Sequence, residues 1–235
     1  MGKGKTGRSL AERLVRRFFY KYYARNLFYE LQLRARKSSA DYVEKYMANV
    51  VIFWQLREIL EYCIMKAPTA GLILEFGVAG GKSINIIAEW AADREVHGFD
   101  SFEGLPEDWA GHLETKGSFS KKGRLPKVRS NVILHKGWFS DTLKVFLSSH
   151  DGPVSFLHID CDIYSSTREV LWQLADRIVA GTVIEFDEYF NYHGWQNHEY
   201  KAWQEFVTTF GVEYKYIAMT ASDGRVAVKI TSVKP

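Results

Sequence analysis

Two cysteines in 235 residues, Cys63 and Cys161, rule out a disulfide framework of several bridges and any cysteine-rich metal site. Their positions give no metal-ligand spacing. A reducing compartment is the simpler reading, with a single bridge between them as the alternative. No apolar run reaches the ~20 residues that span a bilayer. No secretory leader pattern opens the chain, so the expected location is cytoplasmic. Repeats and low-complexity tracts are missing. So is any recognisable base-reading module, and no nucleic acid is expected as partner.

What is present is a hydrophobic share of 46% and an aromatic share of 15%. That is enough apolar material for one core, and the length suits one domain with appendages. The net charge of +3 is unevenly spread. Residues 1–37 hold eleven Lys or Arg against two Glu, which is +9, so the remainder carries −6. Within this basic arm Leu10, Leu14, Val15, Phe18, Phe19 and Tyr22 fall at helical spacing, with Arg13, Arg16 and Arg17 between them. Such a helix packs on its own domain or on a second subunit, or it lies on an anionic membrane surface. Peripheral contact at the inner membrane surface through residues 8–37 and a homo-oligomer are therefore both carried forward. The organisation read from the chain is a basic helical arm at 1–37, a helical entry segment at 38–70 and a catalytic domain at 71–235.

Residues 72–83 carry the most information. Leu72, Ile73 and Leu74 lead to Glu75, glycines follow at 77, 80 and 81, and Lys82 and Ser83 open a segment of helical pattern. A strand, a glycine turn and a helix N-terminus can seat a nucleotide-like ligand. A phosphate loop needs its first glycine at the position of Phe76, and Gly77 is one residue too close. A nicotinamide or flavin fingerprint needs glycine where Ala79 stands. Glu75 repels a pyrophosphate but welcomes an ammonium group. An amino-acid head with an adenosine tail and no phosphate fits, which points to S-adenosylmethionine. Gly77 and Gly80 let the backbone approach it. Asp100 ends the next apolar segment, where an acid can accept hydrogen bonds from ribose hydroxyls.

Apolar and helical segments alternate after residue 71. Strands are expected near 72–76, 95–99, 131–135, 153–159 and 181–186, with helices near 82–92, 139–149, 166–178 and 197–210. Helices are also expected over 8–36 and 40–66. This pattern predicts an α/β fold with a mostly parallel, Rossmann-like sheet. Ser166 and Glu169 read as a capping box. The runs 214–219 and 225–230 flank Ser222, Asp223 and Gly224 and read as a closing antiparallel hairpin. The long segment 103–130 reads as a lid.

Two strand ends are acidic, with Asp160 and Asp162 at one and Asp187 and Glu188 at the other. In a parallel sheet they reach the same edge. Carboxylates crowded there call for a hard cation, and oxygen ligands favour Mg²⁺. The alternative is that they cap turns or pair with Lys and Arg. Asp162 is read either as a ligand or as a partner of the helix that follows. Among histidines, His112 in the lid and His193 are candidate bases, whereas His135 and His158 fit core positions within strands.

Five stretches in this order, 75–83, 99–107, 137–143, 159–167 and 186–190, resemble the macrocin and mycinamicin O-methyltransferases, the TylF-like family. The resemblance covers about 70–235 and leaves out the basic arm. It implies a class I methyltransferase fold and Mg²⁺-assisted methylation of a sugar hydroxyl. It places cofactor binding on Glu75, Gly77, Asp100 and Ser101, with Trp138 near the adenine. It places metal binding on Asp160, Asp187 and Glu188, and catalysis on Asp160 and His112. Glu188 stands where the family has a shorter Asp, and the 105–130 segment is shorter than in the antibiotic-modifying members.

The expectation is thus an O-methyltransferase acting on a small-molecule or glycan hydroxyl, a catechol being the other acceptor. The competing readings are a non-catalytic binding module attached through its basic arm and a nucleotide hydrolase that depends on Lys82.

Overall fold

The computed structural model describes residues 9–234. One eight-stranded sheet organises it. The strands are β1 (Val51–Phe53), β2 (Leu72–Phe76), β3 (Val96–Asp100), β4 (Val132–Lys136), β5 (Val154–Ile159), β6 (Val183–Phe186), β7 (Val212–Thr220) and β8 (Val226–Val233). Their spatial order is β1-β7-β8-β6-β5-β2-β3-β4. β8 runs antiparallel to β6 and β7, and every other pairing is parallel. The expected α/β architecture and its closing hairpin are both present.

Helices α1 (Leu10–Phe19), α2 (Leu27–Tyr46), α3 (Leu56–Lys66), α4 (Lys82–Trp90), α5 (Phe139–Leu147), α6 (Tyr164–Gln173) and α7 (Glu199–Phe210) complete the fold. The central strands are buried on both faces. Leu74 and Phe76 point into a core shared with α5, α6 and α7. Ile73 points into a second core with Ile59, Leu60, Ile84 and Ile87 of α3 and α4. Near-continuous apolar strands are what two covered faces require.

Three local expectations are corrected. The helix expected over 40–66 is broken. Its β-branched run at Val51 and Ile52 pairs instead with Ala218 and Met219 as an edge strand, and backbone pairing outweighs helical periodicity there. The helix expected over 8–36 is likewise divided. A wide turn at Tyr20–Ala24 follows α1, and Asn26 caps α2 by accepting from the Tyr29 amide at 3.0 Å. The capping box at Ser166 is not formed, because α6 begins at Tyr164 and Ser166 is buried inside its first turn. Cys63 and Cys161 are both free and buried.

From β2 the chain goes to β3 and β4 on one side, then crosses back to β5 and β6 on the other. Ligands of open α/β sheets bind at such a reversal, outside the carboxyl ends of the strands.

Candidate cofactor and metal site

Gly77 follows β2 at this reversal. Its φ is +95°, and a Cβ there would sit 1.6 Å from the Asp160 carbonyl oxygen. Any side chain would push β5 away from β2. Four of the loop amides are already used. Gly77 donates to the Phe99 carbonyl at 3.0 Å and Gly81 to that of Val78 at 2.8 Å. Val78 and Ala79 donate to Asp100 Oδ2 at 2.9 and 2.7 Å. A phosphate would have to displace that carboxylate, which supports the phosphate-free reading. Phe102 donates to Asp100 Oδ1 at 2.6 Å. Three of the roughly four acceptor positions of the carboxylate are therefore filled, leaving one on Oδ1 for an incoming hydroxyl.

A cavity of about 490 Å³ opens beside the loop. Gly77, Asp100, Ser101, Trp138, Asp160 and Glu188 line it, together with Asp162 and Glu107. The segment after β3 supplies one wall. It is packed rather than loose, because Phe102, Leu105 and Trp109 are buried. Ser165 at the start of α6 donates to Glu107 at 2.6 Å and ties that wall to the helix.

Glu75, Gly80 and His112 are not among the lining residues. Glu75 lies fully buried beneath the loop, accepting from the Ser83 hydroxyl at 2.8 Å and facing His158 at 3.5 Å. Period-2 alternation turns it away from the cavity, and it does not line the wall that an ammonium group would meet. Asp160 is the strand-end carboxylate in that wall. A Cβ on Gly80 would meet nothing within 4 Å. His112 is held by Glu114 and lies near-parallel on Trp109 at 4.2 Å between ring centroids.

The acids converge as expected. Carboxylate oxygens of Asp160, Asp187 and Glu188 all lie within 4.8 Å of one another. Loss of hydration, then the charge of Asp187, raises Asp160 well above the ordinary carboxylate range. Glu188 is raised by the same two causes. Asp162, with φ +65°, is pushed up to about 8 by burial, then by Asp187 and Glu114. Asp187 is the exception. Burial would raise it, but His158, 3.8 Å away, and the charge of Arg225 hold it at about 2. Arg225 grips both its oxygens, at 2.5 and 3.1 Å.

Glu199 joins this cluster and was not foreseen. It begins α7, far along the chain, and the Glu188 amide donates to its Oε2 at 3.1 Å. Its Oε1 and Oε2 of Glu188 are buried without a partner among the described residues. No spacing signal marks Glu199, because only the packing of α7 brings it to the strand ends. Orphaned carboxylate oxygens beside acids of raised pKa fit a hard divalent cation.

Residues 74–189 match the family described as a methyltransferase domain. The matched stretch is just under half of the chain. It spans β2 through the acidic end of β6, and so holds the loop, Asp100, Trp138 and most of the acids. A curated relative from Streptomyces olivaceus is 28% identical over 171 residues, which is 61% of this chain and 63% of that protein. It is an 8-demethyl-8-(2,3-dimethoxy-α-L-rhamnosyl)-tetracenomycin-C 4′-O-methyltransferase. The chain thus matches under two thirds of that relative's length.

Among solved structures, the O-methyltransferase NovP superposes with TM-score 0.55 at 22% identity, over 74% of this chain and 79% of its own. The calicheamicin methyltransferase CalS11 superposes with TM-score 0.57 at 18% identity, over 97% and 98%. TomG of Streptomyces achromogenes, solved with S-adenosylmethionine, gives 0.51 at 16%, over 96% and 100%. At these identities the likeness is one of fold. Among the described residues no helix is long and apolar enough to cross a membrane.

Proposed function

We propose that the chain is an S-adenosylmethionine-dependent O-methyltransferase of the TylF-like type, acting on a sugar or glycoconjugate hydroxyl with a divalent cation. One observation carries this reading. Beside the glycine loop, Asp100 already holds the Val78 and Ala79 amides, and the cavity is walled by the strand-end acids Asp100, Asp160 and Glu188. The sugar acceptor is supported by the rhamnosyl substrate in the name of the Streptomyces olivaceus relative.

S-adenosylmethionine supplies a methyl group on a cationic sulfonium. Gly77 leaves space for its close approach. Asp100 offers its remaining acceptor position to a ribose hydroxyl, and Ser101 stands beside it. Trp138, 43% exposed at the cavity rim, offers a ring face to the adenine. Asp160 offers a carboxylate to the ammonium group. The residues for a cation are Asp160, Asp187 and Glu188, with Asp162 and Glu199 close by. A divalent cation there neutralises crowded carboxylates and lowers the pKa of a bound hydroxyl. His112, held by Glu114, is the proposed base. Walls that orient the acceptor hydroxyl against the methyl group supply much of the rate.

Calorimetry with S-adenosylmethionine, with and without Mg²⁺, tests the cofactor. Labelled S-adenosylmethionine offered to glycan and small-molecule fractions tests the acceptor. Absence of cofactor binding refutes the enzyme reading. Full methyl transfer in the presence of a chelator refutes the cation.

A further inference from the structure

Helix α1 contributes nothing to either core. None of its residues is buried. Yet it is built as a definite helix. Ser9 and Glu12 form a reciprocal capping box, with Arg16 and Arg17 in the last turn where the helix dipole favours cations. Successive residues turn by ~100°. Leu10, Leu14, Val15, Phe18, Phe19 and Tyr22 therefore share one half of the cylinder, and Arg13, Arg16 and Arg17 share the other with Glu12. Leu10 is 75% exposed, Val15 69% and Phe19 60%. Beyond α1, Tyr20 and Tyr23 are exposed as well, and Leu27 on the first turn of α2 is 78% exposed.

The neighbouring helix shows what docking looks like. In α2, Gln32 donates to the Asn191 carbonyl at 2.5 Å, and Ser39 accepts from the Asn191 amide at 2.9 Å. The Trp195 ring nitrogen donates to Ser38 at 3.2 Å. The reading that the amphipathic arm packs on its own domain thus holds for α2 and fails for α1.

We infer that α1 is an interfacial helix that holds the protein on an anionic phospholipid surface. Charge decides between a bilayer and a second copy. Residues 1–37 carry +9, so two arms brought together would repel, with only Glu12 and Glu30 to offset eleven cations. An anionic headgroup layer complements that charge. The side chains are also the ones that suit the interface, with aliphatic groups and phenylalanines to enter the acyl boundary and tyrosines and arginines to remain at headgroup level. Lys21 over the Tyr22 ring and Arg25 over the Tyr20 ring, at 5.1 and 5.4 Å, pair cation with aromatic along the same edge. The helix turns are too few to span, so the mode is peripheral. This inference stands on α1 alone and does not depend on the methyltransferase reading.

The test is co-sedimentation of the full chain with vesicles of phosphatidylcholine alone or with ~30% phosphatidylglycerol, together with analytical ultracentrifugation without lipid. Binding to the anionic vesicles and not to the neutral ones is expected, weakening as salt rises. Each arginine is worth ~5-fold, so Arg13→Gln/Arg16→Gln/Arg17→Gln together should weaken binding about 100-fold. Leu14→Ser/Phe18→Ser should abolish it with the charge unchanged. Both variants should keep the wild-type melting temperature, because no residue of α1 is buried. Absence of anionic-vesicle binding overturns the inference. So does binding that ignores Leu14→Ser/Phe18→Ser, since it would be charge adsorption without an interfacial helix. A lipid-free dimer dissociated by Leu14→Ser/Phe18→Ser, without vesicle binding, assigns the face to a second copy instead.

Discussion

Gly77 and Lys82 belong to one loop, yet they border cavities of opposite character. On the Gly77 side the wall is acidic and aromatic, with Asp100, Asp160, Asp162, Glu188 and Trp138 around about 490 Å³. On the Lys82 side an open groove of about 830 Å³ carries Arg57, Lys127, Arg129 and Arg225, with Glu89 and Asp223 as its acids. Arg225 of the groove grips Asp187, whose carboxylate lies within 4.8 Å of those of Asp160 and Glu188. The lesson concerns how a glycine loop chooses its ligand. A lysine at a helix start invites a phosphate only if the loop amides are free and face the same way. Here an aspartate already holds two of them, and the lysine borders the other cavity. Asp160→Asn should break the acidic side outright, since it removes a group proposed for both ammonium and cation. Turnover should fall roughly 10²–10³-fold, the usual range for a charge aimed at the reacting centre. Activity within tenfold of wild type would remove Asp160 from the mechanism.

The seam between the cavities is the next place to press. Arg225→Gln leaves the Asp187 carboxylate facing Asp160 and Glu188 with only His158, 3.8 Å away, to offset its charge. Breaking a largely buried pair costs about 3 kcal/mol or more, a drop of roughly 10 °C in melting temperature for a chain of this size. An unchanged melting temperature would show that the seam contributes no stability. If the acids bind a cation, added Mg²⁺ should recover part of the loss.

The sheet was legible in the sequence because its strands are uniformly apolar and end in punctuation. Asp100, Asp160, Asp187 and Glu188 were legible for the same reason, since strand-end acids share an edge once the strands are parallel. Glu75 lies off the cavity wall because it occupies a strand position. Its identity suggests a ligand, but the alternation of the strand sends it under the loop to Ser83 and His158. β1 was hidden because Val51 to Phe53 is too short to show a period, and its pairing with β7 is fully non-local. Glu199 had no local signature, for its place depends on the docking of α7.

A titration elsewhere in the sheet separates scaffold from site. His97, early in β3, is buried against His135, with its Nδ1 3.2 Å from the other ring. Burial, then His135 and His150, lower it to about 4. In the unfolded chain it titrates near 6.5. Between these values the unfolded state binds more protons, so this contribution to stability is full above pH 6.5 and is lost as the pH falls toward 4. The loss should be on the order of 2 kcal/mol and should shrink in His97→Gln, as read by denaturant melts across that window. An equal slope in the variant would move the acid lability to the carboxylates. A smaller effect belongs to the cavity rim. Trp138→Ala should weaken S-adenosylmethionine about tenfold, the scale of one base–aromatic stack, and unchanged calorimetric affinity would place the adenine elsewhere.

The smallest expected effect is the most discriminating between the two sides of the loop. Lys82→Ala removes the residue that most resembles a phosphate-loop lysine. Lys82 lies at the first position of α4 and borders the groove, not the acidic cavity. If the ligand is a phosphate-free adenosine cofactor, S-adenosylmethionine affinity should stay within about twofold, the range of a surface substitution. If the loop instead serves nucleotide hydrolysis, ATP should bind and the same substitution should remove that binding. Calorimetry with each ligand on each protein gives four values. Only one pattern preserves the comparison, namely cofactor binding that ignores Lys82 and ATP binding that is undetectable in both. Any lysine-dependent ATP signal would make the basic groove the working side and the acidic cavity its support.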